Sequence, residues 1–121
     1  MNSFLGSLGV AVLMASSVFA AAPQKIEGHL VDVACANHNA KKPKAGFAAS
    51  HGKDCLEMPE CAESGYAIVT ADNKVIKFDS KGNETAKKLI ADSKKSSDFK
   101  ASATGTLDGD TLKLEGLTLE Q

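Results

Sequence analysis

Apolar and polar residues alternate in several short stretches of this 121-residue chain, which is the period of a β-strand. The first stretch, 25–35, has apolar residues on both faces, as expected for a strand in a closed or two-layered sheet. Two shorter stretches, 66–70 and 75–79, flank the turn-forming sequence Ala-Asp-Asn-Lys and predict a hairpin. The pattern therefore predicts three strands before residue 80.

A short helix is predicted to follow this hairpin. Asn83 is a good N-cap for a helix that ends near Asp92. Ala86, Leu89 and Ile90 give it a single apolar stripe, so we expect it to pack against the sheet on one side only.

Two further strands, 99–107 and a strand resuming at Leu112, flank an Asp-Gly-Asp turn. The alternation shifts by one residue near Glu115 and Gly116, which predicts a β-bulge. The order β-β-β-α-β-β is that of the OB-fold, a five-stranded barrel with one helix. We therefore expect a mainly β protein with one short helix and an OB-like barrel, with an open α+β meander as the alternative.

Residues 36–64 follow neither the strand period nor the helix period, and we expect them to form a long irregular loop. A loop of this length, in a domain of about 100 residues, needs something that ties it down. A disulfide or a bound metal ion would serve.

The amino-terminal segment has the character of an export signal. Residues 4–20 are apolar, no charged side chain precedes Lys25, and small residues provide a cleavage site between Ala20 and Ala21. The run is too short and too rich in serine for a transmembrane helix. We expect a signal peptide at 1–20, one domain at 21–121 without a membrane anchor, and a periplasmic or secreted protein.

The charge composition argues against nucleic-acid binding. All 14 basic residues are lysines, and together with 15 acidic residues they give a net charge of −1. Without arginine the chain has no guanidinium to grip a base or phosphate, and with one Tyr and no Trp it has little surface for base stacking. We expect no nucleic-acid partner.

The segment between strands one and two concentrates residues that bind soft metal ions: Cys35, His38, His51, Cys55 and Cys61. The spacings C-x2-H and H-x3-C let two side chains reach one ion. Sulfur and imidazole suit Cu⁺ or Zn²⁺. We therefore expect a transition-metal site formed by Cys35, His51 and Cys55, with His38 and Cys61 competing for a fourth position.

Two neighbouring residues would extend this site. Met58 adds a thioether, which favours Cu⁺. Asp32, three residues before Cys35, is placed to accept a hydrogen bond from a histidine.

A disulfide is the alternative use of the cysteines, because exported proteins more often pair their thiols than bind metal with them. The candidates Cys35, Cys55 and Cys61 allow three pairings, among which the sequence does not choose. A bridge from Cys35 would close a loop of about 20–26 residues and stabilise the fold by roughly 3 kcal/mol. This alternative predicts a stapled structural protein that docks a partner in the cell envelope.

Four motifs together resemble a family of small secreted bacterial proteins. They are GHLVDVAC at 28–35, HGKDC at 51–55, CAESGY at 61–66 and ATGTLDGDTL at 103–112. The resemblance covers essentially the whole mature chain, apart from a longer lysine-rich insert at 39–50, and implies an exported, OB-like, non-catalytic module. It brings no known activity and no functional residues.

Catalytic motifs are absent from the sequence: there is no nucleophile elbow, no phosphate-binding loop and no recognisable carboxylate pair. The cysteines lack the C-x2-C spacing of thiol-redox enzymes. We therefore expect a binding protein rather than an enzyme.

Overall fold

The computed structural model describes Gly9 and residues 22–120, so the predicted signal peptide lies outside the described residues apart from Gly9. No helix in this part of the chain is long and apolar enough to cross a bilayer. In chain order the elements are β1 (Gln24–Asp32), α1 (Val33–Lys41), α2 (Phe47–Ser50), α3 (Lys53–Glu57), α4 (Pro59–Glu63), β2 (Tyr66–Val69), β3 (Val75–Phe78), α5 (Ser80–Asp92), β4 (Lys100–Asp108) and β5 (Thr111–Leu119).

The five strands form one mixed sheet whose hydrogen bonding runs in a ring, in the order β1-β2-β3-β5-β4 and back to β1. The two predicted hairpins, β2–β3 and β4–β5, are both present. A short parallel contact between β3 and β5 and the long antiparallel pairing of β1 with β4 close the ring. The described residues therefore do not form the open meander.

The predicted bulge is also present in β5. Thr104 pairs with Gly116, whereas the next residue of β4, Gly105, pairs with Leu114. Glu115 is thus the extra residue, which explains the one-residue shift in the alternation.

The faces predicted to be apolar form the core. Inward side chains from all five strands pack together with Ala86 and Ile90 of α5, which are fully buried. The other apolar face of β1 is covered too, because Val31 packs with Ala36 of α1 and Val69 of β2 in a second small cluster. This explains why β1 is apolar on both sides.

The end of β1 differs from the sequence prediction. The strand was expected to continue to Cys35, but it ends at Asp32, and Val33 begins α1. The carboxylate of Asp32 accepts a hydrogen bond from the Cys35 N–H, which is the geometry of an N-cap. The apolar alternation of β1 continues through Val33 and Cys35 in the sequence, but the cap formed by Asp32 starts a helix there instead.

The prediction of an irregular loop at 36–64 is wrong, and so is the prediction of a single helix. This segment holds most of α1 and all of α2, α3 and α4. The last three are four or five residues long. Such short helices show no sequence period and depend on contacts with the rest of the molecule.

The helix after β3 is longer than predicted. It begins at Ser80, and its N-cap is Asp79, whose side chain accepts a hydrogen bond from the Gly82 N–H at 3.0 Å. Asn83, the predicted cap, lies inside the helix and accepts a hydrogen bond from the backbone N–H of Tyr66 at 2.8 Å. Asn83 thus ties α5 to β2.

Candidate metal centre

The candidate site is built around the buried carboxylate of Asp32, at the junction of β1 and α1. Its Oδ2 accepts the Cys35 N–H at 2.9 Å, and its Oδ1 lies 2.7 Å from Nε2 of His51. Burial raises the pKa of Asp32, but the hydrogen bonds from His51 and Cys35 outweigh it and hold the pKa below its ordinary value of 3.8. Asp32 is therefore a carboxylate anion inside the protein.

His51 reaches Asp32 because the segment between α2 and α3 is held against the rest of the protein. Its ring contacts the Phe47 ring of α2, with centroids 5.3 Å apart. The two residues that follow His51 are also held: the Lys53 N–H donates to the carbonyl of Ser96 at 2.8 Å, and Gly52 forms a β-bridge with Ser97. His51 is only 7 % exposed, and its Nε2 is hydrogen-bonded to Asp32. Asp32 is thus the hydrogen-bond partner of a histidine, as its position in the sequence predicts.

Asp32, Cys35 and Cys61 bring one ligand atom each to within 4.8 Å of one another. Cys35 lies in the first turn of α1 and Cys61 lies on α4. The two predicted ligands come together although 26 positions separate them in the numbering of the chain. The third member, Asp32, was expected only as a partner of a histidine and was not predicted to be a ligand.

Ser64 joins α1 and α4, the helices that carry Cys35 and Cys61. Its Oγ accepts the Ala34 N–H of α1 at 3.1 Å and donates to the carbonyl of Cys61 at 2.6 Å. Next to it, the Val33 N–H donates to the carbonyl of Gly65 at 2.9 Å. These bonds fix the end of α4 against the start of α1, and so set the separation of the two thiols.

Both thiols of the cluster resist ionisation. Burial, together with the hydrogen bond to Asp32 and its charge, raises the pKa of Cys35 to about 12. Burial and the negative charge of Asp32 also raise the pKa of Cys61. The metal-free site is therefore a pair of neutral thiols beside a carboxylate at neutral pH, which is the opposite of the low-pKa thiol that redox catalysis uses.

The other predicted ligands lie outside this cluster. Cys55 is on α3, near enough to Cys61 for its charge to raise the pKa of that thiol. His38 lies one turn beyond Cys35 on α1 and is exposed. The C-x2-H and H-x3-C spacings therefore did not identify the closest set of ligand atoms.

All three cysteines, Cys35, Cys55 and Cys61, are free thiols in this structure. Cys35 and Cys61 are the pair whose sulfurs belong to the cluster. A disulfide between any two cysteines stays a prediction.

No family model matches the chain, and no match is found among curated proteins or solved structures. The resemblance of its motifs to a family of small secreted bacterial proteins therefore stays a prediction.

Proposed function

We propose that this protein binds a soft transition-metal cation, Cu⁺ or Zn²⁺, between Cys35 and Cys61. The observation that carries the proposal is the approach of two thiols and one carboxylate to within 4.8 Å of one another. Thiolate sulfur selects these two ions over the harder divalent cations. Helices α1 and α4 supply the sulfurs, and the end of β1 supplies the oxygen.

The charge of the site favours a cation. When Cys35 and Cys61 release their protons to solvent, two thiolates face the carboxylate of Asp32 within this cluster. Such a concentration of negative charge is costly in a partly buried place unless a cation neutralises it. Since the metal competes with protons for both sulfurs, its apparent affinity should fall as the pH is lowered.

His51 acts on this site through Asp32. Its Nε2–H donates to Oδ1 of Asp32, and its ring is itself held by Phe47. A hydrogen bond of this kind fixes the direction of a ligating carboxylate and helps to keep it ionised. His51 is therefore a positioning residue in this proposal rather than a ligand.

The fold and location proposed for this protein agree with an extracytoplasmic binding module. We propose that the ring of five strands is an OB-like barrel, since its strand order and the place of α5 between β3 and β4 are those of that fold. Residues 1–20 are proposed to be a signal peptide and 21–121 a single domain that acts in the periplasm or outside the cell, without catalytic activity.

Native mass spectrometry of the reduced protein tests the metal proposal. With one equivalent of Cu⁺ or Zn²⁺, the wild-type protein should carry one ion, whereas Cys35→Ser and Cys61→Ser should carry none. Cys55→Ser is the matched control and should bind as the wild type does, because Cys55 lies outside the cluster. A wild-type protein without metal, or a Cys55→Ser variant as defective as the other two, would contradict the proposal.

A disulfide-stapled interaction protein of the cell envelope is the second candidate function. Cys35 and Cys61 are free thiols that are not at bonding distance, but their sulfurs lie within 4.8 Å of each other, and a bond formed after a small movement would tie α1 to α4. Protein isolated from the periplasm without reductant decides between the two. A mass lowered by two hydrogens and a Cys35–Cys61 peptide without metal would support the staple and contradict the metal site.

A further inference from the structure

The lysines of the insert at 39–50 have no part in the proposed metal centre. Residues 33–53 contain four lysines and no acidic residue, although the chain has 15 acidic residues in all. Lys41, Lys42 and Lys44 are exposed, at the end of α1 and directly after it. The insert therefore concentrates positive charge on one part of a protein that carries almost no net charge.

The insert forms part of the wall of a cleft. The volume of the cleft is about 370 Å³, which falls within the ~300–1,000 Å³ that small-molecule sites occupy. Asn39, Lys44, Phe47 and alanines of the insert line it, together with His29 of β1. The turn between β2 and β3 completes the lining with Thr70, Ala71 and Asn73. A concave space of this size is suited to a small molecule.

The polar groups of the cleft are neutral or basic. Among the described residues that line it, none is an Asp or a Glu. Asp98 contacts the cleft only through His29, to which it is hydrogen-bonded. Asp72 belongs to the same turn, but Nζ of Lys74 lies 3.7 Å from its Oδ2. Each of these two carboxylates thus has a basic partner of its own, and the ammonium of Lys44 is the charge that a ligand meets.

The backbone around Lys44 is held in a defined position. Its N–H donates to Oδ1 of Asn39 at 3.0 Å, and its carbonyl accepts the Phe47 N–H at 3.2 Å. Because Oδ1 of Asn39 is used in this way, its side chain offers a ligand mainly the N–H groups of its amide. Ammonium and amide donors suit the oxygens of an anion, whereas Phe47 and the neighbouring alanines suit an apolar body.

We propose that this cleft binds a small organic anion, whose carboxylate or phosphate head contacts Lys44 and Asn39 and whose short apolar body packs against Phe47. The charge of the lining carries this choice, because Lys44 and the other lysines of the insert repel a cation. Phe47 also contacts the ring of His51, so the cleft adjoins the candidate metal centre without sharing a ligand with it. The proposal does not depend on metal binding.

NMR spectra of the ¹⁵N-labelled, metal-free protein test this proposal with three probes that share one aromatic ring. Benzoate and phenyl phosphate carry the two kinds of anionic head, and benzylammonium is the cationic control. We expect at least one of the anions to shift the backbone signals of residues 39–49 and 70–73 until they saturate, while benzylammonium leaves them unchanged. The anion that binds more tightly identifies the head group.

A pair of lysine variants tests the part played by Lys44. Lys44→Gln removes the charge and keeps the backbone, so it should weaken binding of the anion severalfold. Lys113→Gln is the matched control, because Lys113 is an exposed lysine of β5 that does not line the cleft. This control should bind the anion as tightly as the wild type does.

Three results would overturn the proposal. They are equal shifts with benzylammonium, no saturable shift with either anion, and an equal loss of affinity in Lys44→Gln and Lys113→Gln. Sedimentation with phosphatidylglycerol vesicles tests a membrane as the alternative partner of the lysines. Binding to these vesicles without binding of either small anion would make the insert a membrane-binding surface and would likewise overturn the proposed site.

Discussion

Asp32 connects three parts of the molecule through one carboxylate. It ends β1, caps α1 through the Cys35 N–H, and accepts the hydrogen bond of His51 from the segment that precedes α3. Since Asp32 is fully buried, each of these partners depends on it for a hydrogen bond that water does not replace. The same side chain thus supports both the local fold and the candidate metal centre.

Asp32→Ala should destabilise the metal-free protein strongly. Loss of the cap costs about 1 kcal/mol, and the buried donor of His51 left without a partner costs a further 1–3 kcal/mol or so. Urea denaturation at neutral pH measures the sum. Asp79→Ala is the control, because Asp79 caps α5 and also accepts the Leu114 N–H at 3.3 Å, but has no histidine partner and should cost less. Equal losses in the two variants would contradict the role given to the His51 contact.

Asp98 forms the other histidine–carboxylate pair, with its Oδ1 2.8 Å from Nε2 of His29. His29 lies on β1 and is only partly exposed. The hydrogen bond from His29, with smaller contributions from the charges of Lys100 and Lys95, lowers the pKa of Asp98 below its ordinary value of 3.8. The ionised form of Asp98 therefore stabilises the folded state.

This pair predicts a pH-dependent stability difference between the wild type and Asp98→Asn. Because the pKa of Asp98 is lower in the folded state, its contribution is complete above the ordinary value of 3.8 and is lost as the pH falls through the folded pKa. Asparagine tolerates the left-handed backbone at this position, where φ is 57°. Chemical denaturation should show the variant less stable at about pH 6 and equal to the wild type at about pH 2. A difference independent of pH would contradict this account.

At the scale of elements, the alternation of apolar and polar residues predicts the strands well, but the sequence shows no periodicity that predicts the short helices α2, α3 and α4. The hairpin β2–β3 and the bulge at Glu115 follow from alternation that neighbouring residues carry by themselves. Helices α2 to α4 are too short to be stable alone and form because contacts such as Gly52 with Ser97 hold their connections in place. Those contacts join distant residues, so the sequence of the segment does not display them.

Gly28 is the point in β1 where a side chain has no space. A Cβ there would lie 2.3 Å from the carbonyl oxygen of Val69 and 2.7 Å from Cγ2 of Ile68. The oxygen belongs to the backbone of β2, which hydrogen-bonds to β1, so it cannot turn away as a flexible side chain would. This explains the glycine in the first motif of the chain.

Gly28→Ala should therefore cost about 3 kcal/mol or more, because overpacking against backbone forces the strands apart. Gly109→Ala is the control. Its φ of 63° disfavours alanine, but no atom lies within 4 Å of the added Cβ, so the loss should be about 1 kcal/mol. Thermal or urea unfolding of the two variants measures the difference. Comparable stabilities would show that β1 and β2 separate readily at this position.

At the scale of the whole molecule, two of the cysteines that the sequence proposes as ligands come together in the candidate cluster, but with a different third member. Cys35 and Cys61 lie far apart in the chain and meet because the end of α4 is hydrogen-bonded to the start of α1 through Ser64. His51 was expected to bind metal with Cys55, yet it faces Asp32, because the turn between α2 and α3 directs it there. Spacing along a chain predicts ligand pairs only when the backbone between them is known.

Site-resolved alkylation of the three cysteines in the full folded protein shows which thiols hold the ion. The reduced protein is treated with an excess of iodoacetamide until all three cysteines of the metal-free sample are labelled, a second sample with one equivalent of Cu⁺ is treated for the same time, and each cysteine-bearing peptide is quantified by mass spectrometry. The account predicts that Cu⁺ protects Cys35 and Cys61 together and leaves the labelling of Cys55 unchanged. Protection of Cys55 in place of Cys61, or labelling of all three cysteines that Cu⁺ does not alter, would contradict it.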